Sequence, residues 1–224
     1  REFGKTIKNP VYFSRKEKPS KGAYLDGRII RYFDGKNDYE VMSVDDMHLF
    51  GNHNYENVMA AIAMTIEAGV PLNIIINVIK DFMGVEHRIE YVRDKNGVRY
   101  YNDSKGTNPD SSIKALEAMS RPTILIAGGY DKHSEFDEFI EAFDNKVKLM
   151  VLLGQTADKI EETAVRHGFT NIIKTDSLEK AVKICAENAV SGDVVLLSPA
   201  CASWGMFKNY EERGKLFKEY VNSL

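Results

Sequence analysis

The sequence predicts an α/β protein whose larger part is a Rossmann-like, doubly wound domain. One observation is a series of short β-branched runs, typical of strands buried in parallel sheets, at 123–127, 147–153, 172–174 and 194–197. A second is a set of segments with apolar residues at helical spacing, at 136–143, 157–167, 178–189 and 210–221. Because strands and helices alternate, a mostly parallel sheet with helices packed on it is the expected architecture.

Residues 1–84 show a different pattern, typical of the closing part of another domain. Short alternating β segments, separated by charged or glycine-containing turns, are predicted at 10–13, 22–25, 28–33 and 39–44. Helices are predicted at 58–68 and 71–82, and the second is expected to bury Ile74, Val78 and Phe82. Since Gly84 ends that helix, the domain boundary is predicted near 83–86, which gives domains 1–84 and 85–224.

The second domain is predicted to open with a β-hairpin, formed by segments 89–92 and 98–101. Both are rich in β-forming residues, and the Asn96-Gly97 pair between them is a strong turn signal. The hairpin leads into a polar stretch, 102–109, that joins a strand end to a helix start.

The stretch 102–109 is the first candidate site. Asn108 suits the N-cap and Pro109 the first turn of a helix predicted at 111–119. A helix N-terminus favours an anionic ligand, and Lys105 adds a full positive charge. Taken alone, the stretch is more typical of a polar turn with an asparagine cap than of a binding site.

Two further loops with polar residues are predicted at the carboxyl ends of strands, at 128–133 and 198–203. Ligands of open α/β sheets bind at that edge, so three such loops favour a binding site over a set of polar turns.

Two short motifs imitate nucleotide-binding signatures without completing them. Gly4-Lys5-Thr6 copies the last three residues of a P-loop, but the rest of that pattern, a glycine five residues earlier and an apolar strand that leads in, is not present in these 224 residues. Gly128-Gly129 is not part of a GxGxxG dinucleotide fingerprint. Neither motif is predicted to bind phosphate by itself.

The composition favours an ordinary globular protein. The 224 residues carry a net charge of −3, which gives no general attraction to nucleic acid or to an anionic membrane. No run approaches the roughly 18 apolar residues of a membrane span, and the two cysteines lack metal-site spacing. We expect a cytoplasmic, monomeric protein without nucleic-acid or membrane partners. The chain opens in mid-pattern without methionine, which predicts a fragment of a longer protein.

Five motifs resemble the Mur ligase family, in family order and at family spacing. They are GNHNYENVMAA, MGVEHRIEYV, NDSKGTNPDSSIKAL, GGYDKHSEF and LLSPACASWGMFKNYEERG. The resemblance is clear from about His48 to the C-terminus and is strongest to the members that add D-glutamate. Residues 1–47 match loosely, as the last strands of a central ATPase domain.

The resemblance implies an ATP-driven ligase of peptidoglycan synthesis. It implies that D-glutamate is joined to UDP-N-acetylmuramoyl-L-alanine through an acyl phosphate, with ATP and Mg²⁺ as cofactors. The family's P-loop and Mg²⁺ ligands would lie upstream of residue 1, so we expect no metal site within these residues. The 224-residue chain is expected to be inactive alone.

Position by position, the resemblance assigns residues to both small ligands. Asn54 and Asn57 match asparagines near the adenine, Arg88 matches an arginine that reaches ATP across the domain cleft, and Asp103 matches an aspartate at the ribose. The residues that fall where the family binds D-glutamate are Lys105, Thr107, Lys132, Ser203 and Tyr210. No catalytic residue is assigned.

The chemistry of the side chains supports a dicarboxylate ligand independently. Lys105 and Lys132 lie on separate loops, and two lysines with hydroxyls at helix starts suit the two carboxylates of glutamate. The chain departs from the family pattern at Gly106, where alanine is usual, and at Trp204-Gly205, where the second residue is commonly aspartate.

Two alternatives remain open at this point. One is another amide-forming ligase of the same superfamily, which adds a different amino acid to a muramyl peptide or to folate. The other is a non-catalytic binding module, either a nucleotide-binding Rossmann domain or an isolated ligase domain kept for recognition.

Overall fold

The computed structural model describes residues 6–224 and divides the chain into two compact units, Arg1–Gly84 and Val85–Leu224. Both mix strands and helices, and the prediction of an α/β fold with a Rossmann-like parallel sheet is confirmed. Gly4 and Lys5 of the P-loop-like triplet lie outside the described residues. None of the described helices combines the length and apolar character that a membrane span requires.

The first unit contains a four-stranded sheet in the order β1-β2-β3-β4. Its strands are β1 (Tyr12–Ser14), β2 (Gly22–Asp26), β3 (Ile29–Phe33) and β4 (Asp38–Ser43). Strand β1 runs parallel to β2, and the other neighbours are antiparallel. Helices α1 (Asn52–Glu67) and α2 (Leu72–Asp81) follow, and Ile30, Met59 and Ile62 are fully buried in the core that they share with the sheet.

Helix α1 begins six residues before its predicted start. Gly51, with a φ of 93°, occupies the N-cap, a conformation that glycine adopts without strain. Asn54 and Asn57 therefore lie inside the first turns of the helix and do not cap it.

The prediction that α2 buries Ile74, Val78 and Phe82 is wrong. These side chains are 47%, 63% and 45% exposed, whereas Ile75 is buried. The residues that pack on the core of the first unit are Leu72, Ile75, Ile76 and Ile79. Because Ile74, Ile75 and Ile76 are consecutive, apolar residues occur on two faces of the helix and the sequence does not specify which face is buried.

The second unit is built on a six-stranded sheet in the order β5-β6-β10-β7-β8-β9. The strands are β5 (Glu90–Lys95), β6 (Val98–Asn102), β7 (Thr123–Ala127), β8 (Val147–Leu152), β9 (Ile172–Lys174) and β10 (Val194–Leu197). All neighbours are parallel except the edge strand β5, which forms the predicted hairpin with β6.

Five helices accompany this sheet: α3 (Pro109–Ala118), α4 (Asp137–Glu141), α5 (Ala157–Arg166), α6 (Leu178–Asn188) and α7 (Tyr210–Ser223). Helix α4 is shorter than the predicted 136–143. Phe136 and Phe143 flank it, and their rings contact that of Phe139 with centroids 6.5 and 5.4 Å away. The helical spacing of these three phenylalanines therefore reflects ring packing that extends beyond both ends of the helix.

The position of β10 in the sheet brings the three candidate loops to the same edge. It lies between β6 and β7 and is parallel to both, with Leu197 aligned with Asn102 on one side and Ile126 on the other. The segments that follow these three strands therefore leave the same edge of the sheet side by side.

Candidate functional site

Three loops leave the carboxyl edge of the sheet in the second unit. The first loop (residues 103–108) connects β6 to α3, the second (128–136) connects β7 to α4, and the third (198–209) connects β10 to α7. Asn108 caps α3 by accepting a hydrogen bond from the Ser111 amide at 2.9 Å, and Pro109 opens the helix, as predicted. The helix start thus fixes the end of the first loop.

The second and third loops are joined through their backbones. The Gly128 amide donates to the carbonyl of Pro199 at 2.8 Å, and the Tyr130 amide donates to that of Ala202 at 2.9 Å. A Cβ atom on Gly128 would lie 2.2 Å from the Leu153 carbonyl oxygen, and one on Gly129 would lie 2.3 Å from that of Ala202. The two glycines therefore allow neighbouring backbone segments to approach closely, because a side chain at either position would clash with a carbonyl oxygen.

The first and third loops are joined by buried side chains. The Ser198 hydroxyl donates to Oδ2 of Asp103 at 2.7 Å and lies 2.8 Å from Oγ of Ser112 on α3. The Ala200 amide donates to the same Ser112 oxygen at 3.0 Å. Ala200 has a φ of 57°, a left-handed conformation that an alanine adopts only when its surroundings enforce it.

Asp103 is 4% exposed, and both its carboxylate oxygens accept hydrogen bonds. Oδ1 accepts from the Ile89 amide at 3.2 Å, in addition to the Ser198 contact at Oδ2. Burial raises the pKa of this carboxyl to about 7, because removal from water disfavours the charged form. The structure thus gives Asp103 an internal role between two loops, and its assignment to a ribose stays a prediction.

Gly106 packs against this carboxylate. A Cβ atom at this position would lie 2.5 Å from Oδ2 of Asp103 and 2.9 Å from Oγ of Ser112. The alanine that is usual in the family would therefore require both side chains to move.

Arg213 on α7 is a residue that the sequence analysis missed. It is 2% exposed, and its guanidinium donates to Ser104 Oγ at 3.0 Å, to the Ser104 carbonyl at 2.7 Å and to the Cys201 carbonyl at 3.1 Å. The signal that could have revealed it is the next residue, Gly214, since glycine inside a helix often marks a close approach. A Cβ there would lie 2.2 Å from Nδ1 of His87.

His87 is buried beside α7 with a φ of 66°. The side-chain amide of Asn102 lies 2.9 Å from its Nδ1, and in the part of the chain that the structure describes its Nε2 is the one buried side-chain nitrogen or oxygen without a hydrogen-bond partner. Burial lowers the pKa of His87, so the neutral ring is favoured.

Within residues 6–224, one cluster has three possible metal ligands close together: Glu86, His87 and Glu90. The ammonium of Lys218 lies 2.7 Å from Glu86 and 2.9 Å from Glu90. One ammonium already pairs with both carboxylates, and Mg²⁺ prefers a set of oxygen ligands to a histidine nitrogen. The cluster does not fit Mg²⁺.

The residues predicted to bind D-glutamate lie on all three loops and at the start of α7. Nζ of Lys105, which is half-buried, lies 5.4 Å from the ring centroid of Tyr210. Nζ of Lys132, which is exposed, lies 4.9 Å from the ring centroid of Trp204. Ser203 is 3% exposed, and Thr107 is half-buried. The structure thus pairs each lysine with an aromatic ring.

For the residues predicted to bind the nucleotide, the structure shows fewer contacts that favour the assignment. Nδ2 of Asn54 donates to the Phe50 carbonyl at 2.8 Å, which orients its amide, while Asn57 is exposed one turn later. Arg88, in the second unit, is exposed. These assignments stay predictions.

The chain is similar to known proteins both in sequence and in fold. Residues 87–201 match the family model described as "Mur ligase, glutamate ligase domain". The chain is similar to the UDP-N-acetylmuramoylalanine--D-glutamate ligase of Lachnospira eligens, with 64% identity over 216 residues that cover 96% of this chain and 48% of the relative. It thus spans about half the length of the curated relatives that it matches.

Two solved structures resemble the fold. One is the UDP-N-acetylmuramate-alanine ligase MurC of Thermotoga maritima, with a TM-score of 0.66, 15% identity and coverage of 94% of this chain and 47% of that one. The other is the MurF ligase of Thermotoga maritima in complex with ADP, with a TM-score of 0.54, 20% identity and coverage of 91% and 46%. Because the family model matches more than half of the 224 residues, the chain belongs to the Mur ligase family.

Proposed function

We propose that this chain is the C-terminal part of an ATP-dependent ligase that joins D-glutamate to UDP-N-acetylmuramoyl-L-alanine. The observation that carries the proposal is the arrangement of Lys105 and Lys132 on separate loops, which the third loop ties together at the carboxyl edge of the sheet. Two ammonium groups at a ligand-binding edge suit an amino acid with two carboxylates. The relative from Lachnospira eligens, whose name includes D-glutamate, supports the same substrate.

In the proposed reaction, a carboxylate oxygen of the acceptor attacks the γ-phosphorus of ATP, which releases ADP and leaves an acyl phosphate. The amine of D-glutamate then attacks the acyl carbon, phosphate leaves with the electrons of the broken bond, and the amine loses a proton. Lys105, Thr107, Lys132, Ser203 and Tyr210 orient the amino acid for this attack. Their contribution is position and charge.

We propose that the first unit is the end of the central, ATP-binding domain and that the second unit binds the amino acid. Asn54 and Asn57 are then candidates for contact with the adenine, and Arg88 and Asp103 for the remainder of the nucleotide. The Mg²⁺ ligands are proposed to lie mostly in the part of the central domain upstream of residue 1. The proposal places the protein in the cytoplasm as a monomer.

Substrate profiling of the complete ligase tests the function. Phosphate release is measured with ATP, Mg²⁺ and UDP-N-acetylmuramoyl-L-alanine, and D-glutamate is compared with L-glutamate, D-alanine and meso-diaminopimelate. D-glutamate is expected to give the highest kcat/KM. A preference for another amino acid would identify a different ligase of the superfamily, and no turnover with any of them would favour a binding module.

The same assay on the 224-residue chain is a second test. We expect phosphate release at background, because no complete P-loop occurs in its sequence. Turnover above background would contradict the proposal that the phosphate-binding part of the ATP site lies outside these residues.

A further inference from the structure

The guanidinium of Arg213 connects two of the three site loops. Its Nε donates to Ser104 Oγ and its Nη2 to the Ser104 carbonyl, both on the first loop, while its Nη1 donates to the Cys201 carbonyl on the third loop. Each of its three nitrogens therefore has a partner. At 2% exposure, the side chain is unavailable to a ligand.

The partners of Arg213 lie next to the residues proposed to bind D-glutamate. Ser104 immediately precedes Lys105, and its hydroxyl also donates to the carbonyl of Tyr210 at 2.7 Å. Cys201 lies two residues before Ser203. One side chain thus fixes the backbone beside Lys105, Ser203 and Tyr210, which belong to three different segments.

We propose that Arg213 is a positioning residue for the amino-acid substrate, which holds the first and third loops in register. The inference rests on the proposed function for the identity of the substrate. Its physical basis is the fixed fork of the guanidinium, whose donors lie on three separate nitrogens and reach three acceptors at once. A lysine ammonium carries its three donors on a single nitrogen and does not span the same acceptors. Since the third loop is also bonded to the second, the position of Lys132 depends indirectly on the same contacts.

Steady-state kinetics of the complete ligase with Arg213→Lys give the first test. We expect the KM for D-glutamate to rise tenfold or more, and the KM for ATP to change less than twofold. Lys215→Met, on the exposed side of the same helix, is the matched control and should change neither value.

A destabilised core gives the second control. Val182→Ala, in the apolar core beneath the sheet, lowers stability without touching the loops. If Arg213→Lys and Val182→Ala lower the Tm to a similar degree and raise the KM for D-glutamate equally, the positioning role is overturned.

Thiol labelling tests the same contacts without any assumption about the substrate. Cys201 is 3% exposed and its carbonyl is held by Arg213, whereas Cys185 is fully buried in the core on α6. With Arg213→Lys in the complete ligase, alkylation of Cys201 by N-ethylmaleimide should accelerate at least fivefold, while Cys185 stays protected. Peptide mass spectrometry separates the two sites.

The kinetic and labelling measurements together distinguish failure of the positioning role of Arg213 from failure of the proposed function. Unchanged labelling of Cys201 would overturn the inference whatever the kinetics show. Faster labelling in an enzyme that does not use D-glutamate would refute the proposed function and retain the connection between the loops. If Arg213→Lys does not fold, Ser104→Ala removes the acceptor of Nε and the donor to the Tyr210 carbonyl but keeps the contacts of Nη1 and Nη2. It is expected to move the D-glutamate KM and Cys201 labelling in the same directions by smaller factors.

Discussion

The first and second loops each carry a lysine proposed to bind the same ligand, yet they are held in different ways. Asn102 at the end of β6, and Asp103 and Ser104 at the start of the first loop, lead to Lys105; they are almost completely buried and are hydrogen-bonded to α7 and the third loop. In the second loop, Lys132 and His133 are exposed.

The contacts at the tip of the second loop lie at the surface. The amide of His133 donates to Oδ1 of Asp131 at 2.7 Å in a local turn, and Nζ of Lys159 on α5 donates to the Ser134 carbonyl at 2.8 Å. Buried hydrogen bonds cannot be exchanged for water without cost, whereas exposed ones can. We therefore expect Lys105 to be preorganised for the proposed ligand and Lys132 to adjust to it.

Replacement of the two lysines in the complete ligase should produce the largest effects. Each loses a charge-assisted contact worth about 1.5–3 kcal/mol, which corresponds to a rise of roughly tenfold to a hundredfold in the KM for D-glutamate. Because Lys105 is preorganised, Lys105→Ala should exceed Lys132→Ala, and Arg88→Ala should instead affect the KM for ATP. Equal increases for the two lysines would show that the buried contacts around Lys105 contribute nothing to binding.

Ser112→Ala tests the buried side of the comparison through stability. The change removes the acceptor of the Ala200 amide and the partner of the Ser198 hydroxyl, so we expect the free energy of unfolding to fall by about 1–3 kcal/mol. Ser111→Ala, one residue earlier and more exposed, should cost about 0.5 kcal/mol or less. Urea denaturation of both variants decides the point, and similar losses would argue against an energetic role for the buried bonds.

Asp103 predicts a pH dependence. Its pKa of about 7 in the folded state lies above the roughly 3.9 of an unfolded aspartate, so folding favours the protonated carboxyl. The stability that this preference contributes is fully present below about pH 4 and is lost as the pH rises through 7. Relative to Asp103→Asn, the wild-type protein should lose on the order of 1–3 kcal/mol between pH 4.5 and 8. A constant difference across that range would mean that the carboxyl titrates normally.

Lys159→Met should have the smallest effect, because its contacts to the second loop are partly exposed. We expect a loss of about 1 kcal/mol or less in unfolding free energy and a twofold to threefold rise in the KM for D-glutamate, both weaker at high salt. Lys180→Met, which removes a surface pair with Asp176, controls for loss of charge. A tenfold change with Lys159→Met would show that the second loop is as rigid as the first.

The sequence predicts the strands and helix starts that form this site better than it predicts the contacts between its loops. The strand ends, the Asn108 cap and the Pro109 helix start follow from local rules, and the structure confirms them. The contact between Asp103 and Ser198 joins residues 95 positions apart, so no local pattern encodes it. The contacts of Arg213 with Ser104 likewise join residues that are far apart in sequence. In addition, an arginine in a helix with charged neighbours ordinarily lies in solvent, so the sequence does not predict its burial.

The misassigned face of α2 has a different cause. The run Ile74-Ile75-Ile76 satisfies helical periodicity in more than one phase, and packing against the sheet decides between them. Sequence periodicity is therefore a weak guide wherever the apolar residues outnumber the positions on one face.

The central position of β10 also constrains how the protein is made. Strands β6 and β7 flank it, but both leave the ribosome well before residues 194–197 are translated. Until then each lacks a neighbour and presents unpaired backbone groups, the kind of edge that pairs with other chains. β10 is the last of the six strands to be synthesised and thus completes the sheet, and the loop that follows it completes the three-loop edge. Truncation upstream of β10 should therefore yield an aggregation-prone chain that lacks the three-loop edge.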